Sequence, residues 1–411
     1  MPALTIEQDR TDQPHQAQPQ PHTLNSGLSD SGSLAKALDD DDNVLVPMRY
    51  PLLREAFLKS LESKRDVIEA AVRLHLGVRH CHLGVREVWS SGSFNVALPI
   101  FISQNRIVYM RIPLPYRVGE AHCPGNVEEK LQTEIATYMW LRENCPDVPI
   151  PELHAFGLPD GSTMSENEGI PTDIPRHRTY TQVESYLSDL LTFQDNKIRH
   201  QPNAVQSEAD GKMQLAALAA LRATMHHFIR PECRDGPFFL RLTDLHQNNI
   251  FVDEDWNIVT VIDLEWAHSV PPEMHLPPFW LSSRKALDCF EDEAAITDYE
   301  AILEEYWTIY ETEERKRNGT VVQAPLQRDV WARGSFWYFE ALRVPRGMYT
   351  LFNRHIQPLY NKEHPNRKIF DDVFYWYWGF GAQDLIDKKL RDKEEYVASV
   401  REAFTEGSSK N

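Results

Sequence analysis

Two carboxylates and an amide stand at a spacing that suits phosphoryl transfer. Asp244 and Asn249 lie in the stretch Leu242-Thr243-Asp244-Leu245-His246-Gln247-Asn248-Asn249, and Asp263 follows in Val261-Ile262-Asp263-Leu264-Glu265-Trp266. A loop Asp can orient a hydroxyl and take its proton. An Asn oxygen a few residues on can hold a metal ion, and a second carboxylate returned by a hairpin completes that metal site. Transfer of a phosphoryl group needs mainly this: positioning and charge neutralisation, with little covalent work by the protein. A self-satisfied turn at Asp244 and Asn249 is the bland alternative. The order loop, hairpin, carboxylate favours the chemical reading. Asp253, Asp255 and Asn257 imitate the start of a calcium loop. The sequence has no Gly at the sixth position and no Glu at the twelfth, so they read as a hairpin turn.

The elements that must position these residues follow from periodicity. Residues 51–76 carry Leu53, Phe57, Leu61, Ile68, Val72 and Leu76 on one helical face. Val85–Trp89, Phe94–Ile102 and Ile107–Ile112 read as strands around the small-residue turn Ser90-Ser91-Gly92-Ser93 and a polar turn. Pro113 and Pro115 end the third. Residues 127–142 are helical, with Glu134 between the apolar Leu131 and Tyr138; a carboxylate buried there needs a partner. Helices follow at 181–193 and 213–229, then a strand at Phe238–Leu242. A hairpin pairs Asn249–Val252 with Ile258–Ile262, and a helical, aromatic-rich remainder covers 279–405. A β-rich part with one helix precedes a helical part, an α+β plan in two lobes.

These residues resemble the aminoglycoside phosphotransferase family of the protein-kinase-like superfamily, and its fungal branch most. Asp244-Leu245-His246 with Asn249 looks like the family's catalytic loop, and Asp263 like its metal-binding Asp. The resemblance covers roughly 85–411. It implies an ATP- or GTP-dependent phosphotransferase acting on a hydroxyl of a small molecule. Asp244 is then the catalytic base, and Mg²⁺ is held by Asn249 and Asp263. It also implies that Arg111, in Tyr109-Met110-Arg111-Ile112-Pro113, contacts nucleotide phosphate and pairs with Glu134. Gly92 and Ser93 then belong to the loop that covers the nucleotide. Leu242 and Arg111 depart from the His and Lys of many kinases, and Arg is not equivalent to Lys.

Residues 1–43, rich in Gln, Pro, Ser and Asp, read as a disordered tail; the resemblance implies an N-lobe at 44–158 and a C-lobe at 179–411. The junction at 159–178 is abbreviated, with no apolar hinge strand to bind adenine. That abbreviation keeps two rivals open: an inactive kinase-like binding protein and, more weakly, a hydrolase using Asp244 and Asp263.

Composition sets outer bounds. The 411 residues are 42 % hydrophobic and 25 % charged, enough for a sizeable core. A net charge of −18 argues against a nucleic-acid partner. No apolar run approaches the ~20 residues that span a bilayer. Five scattered cysteines without a CxxC pair, and a polar N-terminus, fit an intracellular protein.

Overall fold

The computed structural model describes residues 31–104, 106–156, 170–175, 178–275, 277–283, 293–343, 347–360 and 367–408. The expected hinge-less junction at 159–178 falls largely outside them. Its described residues 170–175 and 178 carry neither helix nor strand. The expected tail at 1–43 lies outside them up to residue 30. Its remainder holds helix α1, Ser31–Leu38, where Leu34, Ala37 and Leu38 share a face.

The chain forms two compact units. The first comprises Met1–Ile170, Asn248–Trp266 and Val397–Asn411, and the second Pro171–Gln247 and Ala267–Tyr396. The hairpin after Asn248 therefore groups with the first unit, not with the helical residues that flank it in sequence.

In the first unit, α2 (Tyr50–Glu62) and α3 (Arg65–Leu76) precede an antiparallel sheet. Its strands are β1 (His82–Leu83), β2 (Ser90–Ser91), β3 (Asn95–Ser103) and β4 (Arg106–Pro113). β3 pairs with β1 and β2 along one edge and with β4 along the other. The segment Val85–Trp89, expected as a strand, instead makes a short 3-10 turn at Arg86–Val88. Trp89 Nε1 donates to the Gly84 carbonyl at 3.0 Å, which folds the segment back on itself.

Alternation along β3 and β4 sorts the side chains. Val96, Leu98 and Ile100 stand opposite Ile112, Met110 and Val108, and all six are buried with Ile68 and Val72 of α3. The other face carries Asn95, Ala97 and Arg111, with Ala97 directly across from Arg111.

Helix α4, Asn126–Asn144, supplies the next layer. The Glu120 carboxylate accepts from the backbone N–H groups of Gly125 and Val127, both at 2.8 Å, and so satisfies donors that a helix start leaves open. Leu131 and Ile135 pack with Val127 and Leu153. The hairpin of β6 (Ile250–Val252) and β7 (Ile258–Val261) belongs to the same unit. Val261 N–H donates to the Pro149 carbonyl at 2.8 Å, tying the hairpin to the chain after α4.

The second unit is mainly helical. A core built on α5 (Val183–His200) and α6 (Glu208–Phe228) extends to α7 (Glu293–Asn318), α8 (Gln323–Ala332) and α9 (Ser335–Arg343). The short helices α10 (Met348–Leu351), α11 (Gln357–Tyr360) and α12 (Arg367–Phe374) lead to the long α13 (Ala382–Ser408), whose residues up to Tyr396 belong to this unit. A ribbon of β5 (Phe239–Leu242) with β8 (Ala267–Val270) is added to these helices. The pairing of β5 with β8 has no counterpart in the sequence-based reading. None of the helices in the described residues is long and apolar enough to cross a membrane.

Candidate active site

The polar face of the β3–β4 sheet meets a helix that presents one cation and one anion. Lys130 and Glu134 are one turn apart on α4 and therefore share a side. Arg111 Nη1 lies 3.0 Å from Glu134 Oε1. The small Ala97 opposite Arg111 leaves room for the guanidinium on that face.

The other end of the guanidinium turns to the chain after the hairpin. Arg111 Nη2 donates to Asp263 Oδ1, and to Glu265 Oε2 at 3.0 Å. Lys130 Nζ donates to the same Glu265 oxygen at 2.5 Å by ion-pair distance and to Asn95 Oδ1 at 3.0 Å. Asn95 Nδ2 donates to Glu265 Oε2 at 2.5 Å. Lys130 is 0 %, Glu265 2 % and Glu134 4 % exposed, so this is a dry ionic network. Removing charges from water is expensive unless each is paired and hydrogen-bonded, and here the two cations alternate with the carboxylates.

Electrostatics follow from that burial. Burial alone would lower the Arg111 pKa, but Glu134, Asp263 and Glu265 raise it well above the usual arginine value. Arg111 is therefore charged at every working pH. Burial pushes the Glu134 carboxyl up from its ordinary value, against the pull of Arg111 and Lys130. Three carboxylates (Glu134, Asp263, Glu265) against two cations (Arg111, Lys130) leave the network with one formal negative charge in excess.

Asp263 is held in an unusual backbone conformation, with φ at +64°. A non-Gly residue in the left-handed region costs about 1 kcal/mol or more and persists where its surroundings enforce it. Ile262 N–H donates to the Asn249 carbonyl at 2.9 Å, so Asn249 and Asp263 flank the base of the same hairpin. Asn249 is buried, whereas the Asp263 side chain is 33 % exposed. The hairpin turn is closed by Asp253, whose Oδ1 accepts from Asp255 N at 3.0 Å and Asn257 N at 2.8 Å. Those bonds make it an Asx-type turn.

The donor set suits magnesium. That ion prefers oxygen ligands and is usually held by one or two carboxylates together with substrate phosphates and water. Asn249 and Asp263 offer an amide and a carboxylate oxygen. Among the described residues no group of three or more His, Cys, Asp or Glu gathers as a metal cage.

Gly92 and Ser93 are exposed in the turn from β2 to β3, where Gly92 N–H donates to the Asn95 carbonyl at 2.9 Å. The turn does not itself demand glycine. Gly92 has no positive φ, and a Cβ there would meet only the Asn95 oxygen, at 3.9 Å. Phe94, next in sequence, sets its ring 5.3 Å from Trp266, edge to face, which links this turn to the segment after the hairpin.

Asp244 belongs to the second unit, in the turn that leaves β5. Leu245 N–H donates to the Leu242 carbonyl at 3.4 Å, and the Asp244 side chain is 46 % exposed. His246 Nε2 stands 4.0 Å from Asp244 Oδ1, beyond hydrogen-bond reach.

The sequence points to Arg111, Glu134, Asn249 and Asp263 but not to Lys130, Asn95 or Glu265. The signal for Lys130 was its position one turn before Glu134. For Glu265 it was the i, i+2 spacing from Asp263.

No family model matches the chain, and no curated protein matches it. A solved structure of a macrolide 2'-phosphotransferase type I aligns over 70 % of this chain and 94 % of its own. The identity is 15 % and the TM-score 0.25, too low for the likeness to carry an argument.

Proposed function

We propose that this protein is a phosphotransferase that moves the terminal phosphoryl group of ATP or GTP to a hydroxyl of a small molecule. The observation that carries the reading is the Arg111–Glu134 ion pair at 3.0 Å, with the same guanidinium turned to Asp263. A fixed, permanently charged fork beside a half-buried carboxylate suits a triphosphate accompanied by a divalent cation. In this reading Arg111 binds phosphate oxygens and Glu134 holds the guanidinium in place. Asn249 and Asp263 hold Mg²⁺, which neutralises charge on the phosphates. Gly92 and Ser93 let the backbone approach the phosphates closely. Asp244 takes the proton as the acceptor oxygen bonds to phosphorus. The bond from phosphorus to the bridging oxygen breaks, leaving the nucleoside diphosphate.

Calorimetry with MgATP tests the assignment. Wild type is expected to bind, Asp263→Asn to lose binding, and Asp244→Asn to bind without turnover. The reverse pattern for the two variants, or no binding by wild type, would overturn it.

A second reading is a nucleotide-binding protein without turnover. It is favoured by the engagement of Asp263 with Arg111, which competes with a metal for that carboxylate. Tight MgATP binding with no nucleotide consumed across a panel of hydroxylated small molecules would support it.

A further inference from the structure

A second cationic cluster lies wholly within the helical unit. Alternation along β5 puts Phe239 and Arg241 on one face, and both reach the turn Pro272–Met274 and its neighbour His275. The Phe239 ring is 5.4 Å from that of His275, and Arg241 Nη1 donates to the Met274 carbonyl. Helix α9 packs on the same turn and brings Glu340 and Arg343. Arg343 stacks over Phe279, 5.9 Å from the ring centre.

Two guanidiniums, Arg241 and Arg343, accompany one carboxylate, Glu340; Glu273, on the same turn, instead accepts from the Arg230 N–H at 2.9 Å. Glu340 is buried, and both of its oxygens are taken by Arg343, at 3.0 Å from Nε and 2.7 Å from Nη2. Arg241 makes no ion pair among the described residues. Burial pushes its pKa down from the usual value, and Arg343 adds to that, with Glu340 pulling the other way. His268, opposite Arg241 in the β5–β8 register, stays neutral at ordinary pH. The surrounding protein and the two guanidiniums hold its pKa at about 4.

A guanidinium cannot shed its proton, so a recessed one without a carboxylate is a standing demand for an anion. Arg241, Arg343 and His275 are half-buried rather than sealed from solvent.

We propose that Arg241 and Arg343 form a receptor for one anionic group, a carboxylate or a phosphate, on the molecule that accepts the phosphoryl group. Arg241 stands three residues before Asp244 on the same strand-to-turn segment, so whatever it anchors is held by the chain that carries the proposed base. The assignment to the acceptor rests on the phosphotransferase reading; the anion site does not.

The test titrates the full chain with inorganic phosphate and, separately, with acetate at fixed ionic strength, reading melting temperature and heat. At least one anion is expected to stabilise wild type and Asp263→Asn equally, and the tighter of the two identifies the chemistry of the group. Arg241→Gln should lose the response. Arg241→Lys, which keeps the charge and loses the fork, should bind about tenfold more weakly or worse. An equal response in wild type and a folded Arg241→Gln overturns the proposal, as does no response in wild type to either anion. A response that Asp263→Asn abolishes also overturns it, because the anion then sits with the nucleotide phosphates. MgATP binding is read in parallel: its failure with the anion response intact removes the phosphotransferase reading and leaves the anion site standing.

Discussion

Arg111 grips Glu134 with one nitrogen and Asp263 with another, so a strand, a helix and the chain after a hairpin are joined through one side chain. Truncating it would leave the buried Glu134 carboxylate without its ion-pair partner. Arg111→Met is therefore expected to destabilise the fold by about 3–5 kcal/mol, the usual penalty for halving a buried pair. Arg111→Met combined with Glu134→Leu should recover much of that loss, since an apolar replacement removes both charges together. Urea denaturation of the set measures both effects. Equal stability of the single and double variants would show that Glu134 does not depend on Arg111.

The contrast between what was legible and what was not has a physical basis. The β3–β4 strands and α4 were readable because their apolar residues recur at two- and at three-to-four-residue intervals. Strand β8 was not. Ala267-His268-Ser269-Val270 has no alternating pattern, and only its distant partner β5 makes it a strand. Arg241 and Arg343 were invisible as a pair for the same reason: nothing in sequence marks two arginines that tertiary packing places on one turn. Lys130 reads as an ordinary helix-surface residue until Glu265 arrives from far along the chain.

The histidine at the Pro272–Met274 turn makes stability depend on pH. Burial, assisted by Arg241, lowers the His275 pKa from 6.5 to about 4. The unfolded chain therefore binds more protons than the folded one between those values. Its contribution is complete above pH 6.5 and is lost progressively as pH falls toward 4. His275→Gln should reduce the slope of the stability profile across that window and leave the share contributed by His268, whose pKa is also held at about 4. An imidazole titration by NMR with a midpoint near 6.5 would contradict the structural origin of the effect.

Gly92 separates folding from binding. Because the turn leaves space for a Cβ, Gly92→Ala should change stability by no more than about 0.5 kcal/mol. If the turn covers a nucleotide, the added methyl stands between backbone and phosphate, and MgATP affinity should fall about tenfold or more. Unchanged affinity together with unchanged stability would make Gly92 an ordinary turn residue.

Lys130 is the sharpest case of a residue whose role is set by one distant partner. Its ammonium is fully buried and is shared between Glu265 and Asn95. Glu265 follows Asp263 by two residues, and Asp263 sits in a left-handed conformation that its surroundings must enforce. Lys130→Met removes the cation at roughly constant volume and strands part of the Glu265 charge, although Arg111 still reaches the same oxygen at 3.0 Å. A destabilisation of about 2–4 kcal/mol is expected, below the full penalty for an orphaned carboxylate. Glu265→Gln should relieve the Lys130→Met background, because the neutral amide no longer needs the ammonium. The effect should also reach Asp263: with its neighbour unanchored, the Lys130→Met variant should bind MgATP more weakly even where it remains fully folded by circular dichroism. Wild-type affinity in a folded Lys130→Met protein would confine Lys130 to holding the fold together.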